Sequence, residues 1–583
     1  MSFEQAALLI LLVVMLTLFS LDRFRIEIVS IAGVLAGYAL GLYRAADVFS
    51  GVANPAVITV IEVLLIVQVL ARGRLFGALA ERFAVAKHGA FTVIAGLSGL
   101  TAFISVFMNN IGAYAIALPA ALRLNEITGI PRKQLIMPIS FAALLGGLVS
   151  LIGTPANLLV SDALAQATGK GFAFFDFAFT GLPVAVGGVL IIAFVVQRLF
   201  PAPDEISASP PPAAARRIVT ERSVPSGSPL VGRVLADCIS AFGIQPHALI
   251  RNGQFVFGAP EKTMIAAGDL LLVEADETTF ERLSYTAALL PEVHFDMSDK
   301  DFTRLDAVVM PESTLVGSYI RSLEVFRSRG VAVTGLSTRS PRIEGRFADL
   351  RLSIGDILRL EGRRQAIDEA LEECECLPLA ATEAIHAAPS HSLRPLLVFI
   401  AGIAASATGL FPPEIAFAGV ILVLTLLNHL NIRQALADLN WPIIIMLAAM
   451  IPLGTAVATT GTAANLAAWL SQYLPVAHPA VGLGLILALG TGITPFVNNA
   501  TVAIVLTPIA FELAKAAGHA PQAYLLAVAA GASLDFLTPF GHHNNTLTMS
   551  IGGYRFADFL RSGWLLTLFG YVCTLLILYV VWI

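Results

Sequence analysis

Phe107-Met108-Asn109-Asn110 and Phe496-Val497-Asn498-Asn499 lie inside two long apolar segments, 89–122 and 479–515. Two adjacent amides inside an apolar helix place strong polar groups where no water reaches them. The backbone is expected to break there, enclosed by protein. Both segments are therefore predicted to be re-entrant helical hairpins with the Asn pair at the tip. The surrounding landmarks fall into step. Pro119 lies 10 residues after Asn109, and Pro508 lies 10 after Asn498. Downstream, Gly153-Thr154-Pro155 answers Leu537-Thr538-Pro539, with Thr154 45 residues after Asn109 and Thr538 40 after Asn498. Upstream, Ala53-Asn54-Pro55 answers Leu439-Asn440-Trp441-Pro442, and Gly73 answers Gly461. Asp176 in Phe-Asp-Phe and Asp558 in Ala-Asp-Phe close the two copies. So many matches in one order predict an internal duplication.

Composition sets the solvent. The 583 residues are 56% hydrophobic and 13% charged, half the charge of an average soluble domain at about 25%. Stretches long enough to cross ~30 Å of hydrocarbon run near 5–21, 26–43, 55–72, 134–165 and 178–199, and again near 393–410, 412–428, 441–458, 520–551 and 562–583. Arg23, Arg25, Arg72, Arg74, Arg82, Lys87, Arg123, Arg132, Lys133 and Arg198 lie in the connections of the first half. The positive-inside rule puts them all in the cytoplasm, which requires 89–122 to enter and leave on one side. An odd number of crossings then inverts the second copy. Paired, interrupted apolar segments in opposite orientation mark the midplane site of a secondary transporter, here expected in an inner membrane. The formal charge of -5 gives no reason to expect nucleic acid. No His-Glu-x-x-His, Gly-x-Ser-x-Gly or intramembrane carboxylate pair suggests an enzyme, and no cofactor motif is present. A channel gated by the insert is disfavoured because two paired tips, rather than a continuous polar pore, carry the polar groups.

Where a tip or a Gly-Thr-Pro break interrupts a helix, freed carbonyls can hold a cation, and freed N–H groups turn a positive dipole end toward an anion. Asn suits such a place because its amide both donates and accepts. The candidate anion-binding set is Asn110, Asn499, Thr154, Pro155, Asn157, Thr538 and Pro539. The candidate cation-binding set is Asn109, Gly153, Thr494, Asn498 and Gly541. Asp535, an ionisable residue beside the second break, is a coupling candidate. His542 and His543 are expected in an ordinary loop.

At these residues the sequence resembles the divalent anion:sodium symporter family. The family's Ser-Asn-Thr tip signature reads Met108-Asn109-Asn110 and Val497-Asn498-Asn499 here. The segments Ile152-Gly153-Thr154-Pro155-Ala156-Asn157 and Phe536-Leu537-Thr538-Pro539-Phe540-Gly541, with Gly552-Gly553-Tyr554-Arg555-Phe556, are similar to its broken helices. The resemblance implies a homodimer with an elevator-type motion, sodium ions as coupling ions at each tip, and the anion between the tips. Met108 and Val497 lack the hydroxyls that help the family hold its anion. A compact dianion such as sulfate is therefore expected ahead of a di- or tricarboxylate. The Asn-Asn form is also similar, more distantly, to arsenite and sodium/proton carriers.

Between the membrane halves, 1–200 and 393–583, the composition turns polar. A linker at 201–222 contains Pro201, Pro203 and Pro210-Pro211-Pro212, and another is expected at 376–392. Two copies lie between them, at 223–290 and 300–375. Leu230-Val231-Gly232 leads to Gly268-Asp269-Leu270 in the first, and Leu315-Val316-Gly317 to Gly355-Asp356-Ile357 in the second. Each reads as short strands, a helix, a hairpin, then a Gly-Asp turn into an apolar strand. Each resembles the C-terminal domain of potassium-channel regulator (RCK) proteins, which implies a small-molecule effector or a dimer contact. No Gly-x-Gly-x-x-Gly opens either copy. Cys374 and Cys376 are read as loop residues rather than zinc ligands. The expected fold class is an all-α inverted-repeat membrane transporter with two re-entrant hairpins and a cytosolic α+β insert of two RCK-C-like domains.

Overall fold

The computed structural model describes residues 2–20, 25–71, 89–201, 217–256, 262–291, 302–310, 313–338, 345–379, 394–437, 439, 441–473 and 478–583. Arg23, Arg72, Gly73, Arg74, Arg82, Lys87, Asn440 and the linker prolines Pro203, Pro210, Pro211 and Pro212 lie outside the described residues. The chain forms two compact units, Met1–Ala202 with His386–Ile583, and Pro203–Ile385.

The first unit is helical. Its first half comprises α1 (Phe3–Ser20), α2 (Ile26–Ala39), α3 (Pro55–Ala71), α4 (Ala90–Ser105), α5 (Asn110–Thr128), α6 (Arg132–Gly147), α7 (Pro155–Thr168) and α8 (Ala178–Leu199). Its second half comprises α9 (Arg394–Ala407), α10 (Pro413–Leu426), α11 (Ile432–Ala437), α12 (Trp441–Thr459), α13 (Thr462–Tyr473), α14 (Pro479–Ile493), α15 (Asn499–Ala517), α16 (Pro521–Ser533), α17 (His543–Gly552) and α18 (Phe556–Val581). Among the described residues, α8, α12, α15 and α18 are long and apolar enough to cross a membrane, and shorter apolar helices accompany them.

The two apolar segments carrying the Asn pairs are each two helices. α4 stops before Asn109 and α5 begins at Asn110; α14 stops before Pro495 and α15 begins at Asn499. Pro495 lacks the N–H that would continue the ladder, and Asn109 and Asn498 cap α5 and α15. α5 and α15 are each 19 residues long, contain one proline (Pro119, Pro508), and end on a left-handed glycine, Gly129 at φ +70° and Gly518 at φ +74°. The long stretches 134–165 and 520–551 are each broken in turn, between α6 and α7 and between α16 and α17. The halves interlock: α7 packs on α15 and α16 of the other half, and α17 packs on α5 and α6. Tyr554 fastens the arrangement, its hydroxyl donating to the Lys133 carbonyl at 2.7 Å and accepting from the Met137 N–H at 3.0 Å.

The second unit is a single nine-stranded sheet in which the copies merge. Its strands are β1 (Ile218–Ser223), β2 (Gln245–Arg251), β3 (Gln254–Phe255), β4 (Leu270–Ala275), β5 (Leu290–Pro291), β6 (Phe302–Val309), β7 (Ala332–Ser337), β8 (Ile357–Arg363) and β9 (Cys376–Pro378). The order is β3-β2-β4-β1-β7-β8-β6-β9, with β5 on β1. β1 begins ahead of residue 223, inside the stretch expected to be linker, and β9 runs past residue 375. Both lie in the sheet because their apolar residues pack: Val219 and Cys376 are buried in one cluster with Leu336, Leu358 and Leu360. The copies repeat in detail. Gly232 and Gly317, and Gly268 and Gly355, all take φ between +80° and +84°, a region open to glycine at little cost. Asp269 accepts from the Ala266 N–H at 2.7 Å, as Asp356 does from the Ser353 N–H at 2.9 Å.

Cys374 and Cys376 are not loop residues. Cys374 ends the helix Arg364–Glu373, Cys376 opens β9, and both are buried in the core. Asp269 is fully buried and takes both Nε and Nη2 of Arg251, each at 2.7 Å. Removing one partner of such a pair strands the other's hydrogen bonds. Asp269→Ala is expected to destabilise the first copy by about 2–3 kcal/mol, discounted because Arg251 is partly exposed. Faster hydrogen exchange of the β2 and β4 amides in the intact chain is the readout; unchanged exchange would contradict it.

Candidate functional site

Each half builds the same bonded frame from a tip, a break and the helix after the break. In the first half, Asn109 Oδ1 accepts from the Gly112 N–H at 2.7 Å and so caps α5. Ser105 Oγ lies 3.1 Å from Asn110 Oδ1 and donates to the Ala143 carbonyl at 2.6 Å. Asn157 Nδ2 spans the break, donating to Gly147 O at 3.1 Å and Ser150 O at 2.7 Å. Ser150 Oγ returns to the tip by donating to Val106 O. In the second half, Asn498 Oδ1 accepts from the Ala500 N–H at 2.9 Å. Thr494 Oγ1 lies 2.9 Å from Asn499 Oδ1 and donates to Ala532 O at 2.7 Å. Asn545 Nδ2 donates to Asp535 O at 2.9 Å and Thr538 O at 3.1 Å. Thr538 Oγ1 returns to the tip at Pro495 O, at 2.8 Å. In such breaks the carbonyls lack helical partners, and a side-chain amide supplies them.

This frame corrects the register read from sequence. Thr538 is the counterpart of Ser150, not of Thr154. The counterpart of Thr154 is His542: Thr154 Oγ1 accepts from the Ala156 N–H at 3.1 Å and His542 Nδ1 from the Asn544 N–H at 3.2 Å, capping α7 and α17 respectively. Matching one Thr-Pro to the other slid the second copy by one helical turn. Gly153 and Gly541 are counterparts, each just before its cap. The histidines are likewise not in a loop, since His542 is the N-cap of α17 and His543 its first residue. The bond from Asn544 assigns His542 Nδ1 as an acceptor.

The frame gathers all of the sequence-nominated residues. Asn110, Asn499, Thr154, Asn157 and Thr538 are buried, with Pro155 opening α7 and Pro539 in the second break, where its carbonyl accepts from Thr546 Oγ1 at 2.7 Å. Thr538 differs from expectation in one respect: its single hydroxyl proton is already given to Pro495 O, and its oxygen accepts from the Gly541 N–H at 3.3 Å. It braces the break and has no proton left for an anion. Asn109 and Asn498 spend one amide-oxygen lone pair on capping and retain the other.

Sequence reading missed Ser105, Ser150, Asn544 and Asn545. The signal was present, since Asn157 lies 48 residues after Asn109 and Asn545 lies 47 after Asn498. Asn544 reaches across the halves: its Nδ2 donates to Asn110 O at 2.9 Å, while its Oδ1 is buried with no donor among the described residues. Asn157 Oδ1 and both oxygens of Asp535 share that condition. Buried acceptors without donors are costly, and several facing breaks make an environment suited to a cation. In sequence, neither tip nor break contains Lys or Arg, so an anion there would meet only neutral donors.

The citrate transporter family model CitMHS matches residues 14–531 and 482–583. An uncharacterized transporter of Synechocystis is 27% identical, over 95% of this chain and 93% of its own length. The Escherichia coli transporter YfbS is 28% identical over 97% of each. Sodium/sulfate cotransporter 1 of Chlamydomonas reinhardtii is 26% identical over 44% of this chain and 32% of its own. The family model that matches the chain is that of the citrate transporters. With apolar helices throughout its first unit and a family model spanning most of its length, this chain belongs to the CitMHS citrate transporter family, a multi-pass membrane transporter and not an enzyme.

Proposed function

We propose that the chain couples inward sodium movement to uptake of a small divalent anion, sulfate first, with Asn110, Asn499 and Thr154 around the anion and Asn157, whose two amide protons go to Gly147 O and Ser150 O, holding the first break in shape. The carrying observation is the repeated frame: two tips and two breaks, bonded alike, with buried amides and no basic residue in either. Dipole ends contribute only ~0.3–2 kcal/mol each, so a compact dianion touching many of them gains more than a long carboxylate touching few. Relatives named sodium/sulfate cotransporters are consistent with this choice. On this reading the tips are re-entrant hairpins opening to opposite sides of an inner membrane, and the protein is a homodimer working by an elevator motion. The insert is cytoplasmic and regulates through a small effector; a surface groove beside Leu315, Ser318, Glu324 and Glu373 is its candidate seat.

A second reading comes from the family's own description, in which the substrate is citrate. Uptake of labelled sulfate, succinate and citrate into proteoliposomes, with and without an inward sodium gradient, separates the two. Sulfate is expected to accumulate with sodium, and unlabelled sulfate to compete at least tenfold better than either carboxylate. Citrate accumulating while sulfate fails to compete would overturn the sulfate reading. Sulfate uptake indifferent to sodium would overturn the coupling.

A further inference from the structure

The two frames share their bonds on side chains that differ in several places, and one of those differences introduces an acid. The carbonyl that takes the bridging amide belongs to Gly147 in the first half and to Asp535 in the second. A side chain at 147 is excluded: a Cβ there would run into Asn110 Oδ1 and come within 3.2 Å of its Cγ and of Gly153 O. At 535 the same corner holds a carboxylate. Asp535 is fully buried, and neither of its oxygens has a hydrogen-bond donor among the described residues. The carboxylate lies against Gly541, where a Cβ would sit 2.6 Å from Asp535 Cγ. Gly541 is thus kept bare by the acid, and the acid is turned into the break rather than toward lipid.

A carboxylate withdrawn from water with no donor is strongly unfavourable, and its full set of acceptor sites suits a hard cation with oxygen ligands. We propose that Asp535 is a direct, charged ligand of a sodium ion held in the second break, which makes the two sodium sites unequal: a neutral first site of carbonyl and amide oxygens, and an anionic second site that fills first. The inference rests on the reading of the chain as sodium-coupled. Asn499 Oδ1 and the carbonyls around Gly541 complete the second site, while its first-half counterpart has only Gly147.

The test uses the full-length purified protein with sodium alone as probe and choline as the ionic control, in separate series at two buffered pH values, without any anion substrate. Thermal unfolding is followed as sodium is raised, for wild type, Asp535→Asn and Asp535→Gly, the last reproducing the first-half residue. Wild type is expected to gain stability with sodium, and both variants to need at least tenfold more sodium for half the gain. In choline both variants should melt no lower than wild type, because each loses an unpaired buried charge. Equal half-saturating sodium in wild type and variants would overturn the proposal. So would a wild type that ignores sodium yet is stabilised as pH falls, with that gain lost in Asp535→Asn, since the acid would then carry a proton. Because no anion is present, failure of sulfate uptake leaves this readout intact, and the two readings fail separately.

Discussion

Asn545→Ala is expected to abolish transport, with uptake reduced at least a hundredfold. The side chain is fully buried and makes three bonds: Nδ2 to Asp535 O and Thr538 O, and Oδ1 from Ser140 Oγ at 2.9 Å. Alanine leaves two backbone carbonyls and a hydroxyl without partners inside the protein. At about 1–3 kcal/mol for each of the three stranded groups, the break loses on the order of 3–9 kcal/mol of definition. Asn545→Asp retains the acceptor and loses both donors, so it is expected to fail as well. Asn157→Ala should be less severe, because its Oδ1 has no donor to strand and only Gly147 O and Ser150 O lose a bond. Initial uptake rates, normalised to folded protein by size-exclusion profile, check the ranking. Uptake by Asn545→Ala near that of wild type would show that the amide does not hold the break.

Gly563→Ala is expected to lower the melting temperature steeply and to cut the yield of folded protein. α18 passes the second break so closely that a Cβ at Gly563 would run into the Phe536 carbonyl oxygen and lie 2.6 Å from its carbon. Gly181 on α8 meets Leu148 of the first break in the same way. The obstacles are backbone atoms, which cannot swing aside as a side chain tip can. Either the helix moves away or the break deforms, at a cost of about 1–3 kcal/mol or more. Gly99→Ala in α4 is the control, since a Cβ there meets nothing within 4 Å. Removing a mid-helix glycine should stabilise by roughly 0.5–1 kcal/mol. Thermal melts in detergent should therefore move in opposite directions. A Gly563→Ala variant melting with wild type would contradict the close approach.

The Asn pairs and the prolines ten residues beyond them were readable without any structure, because local chemistry decides where an apolar helix stops. An apolar helix that must end recruits a cap from the residue at hand, as α5 and α15 do with Asn109 and Asn498, while Pro119 and Pro508 lie inside helices that run on past them. The Gly-Asp turns of the insert were readable for the same reason: φ near +80° at Gly268 and Gly355 selects glycine whatever the surroundings. The merging of the two insert copies through β1 and β7 was not, because an edge pairing is chosen by burial on both sides of the strand rather than by the strand alone.

Register within the breaks was equally out of reach. Thr154-Pro155 and Thr538-Pro539 look interchangeable as letters, yet one threonine caps a helix and the other braces a tip. The difference between them is which carbonyls lack partners once α6 meets α4 and α16 meets α14, and those partners lie about 40 residues away along the chain. The same holds for Asp535. Composition placed an acid beside a break, but only packing stripped it of donors, set it against Gly541, and put it where the first half has Gly147. Sequence alone determined where this chain must break and that it does so twice. The tertiary structure decided which oxygens each break leaves facing inward, because long-range packing determines which hydrogen bonds go unmade.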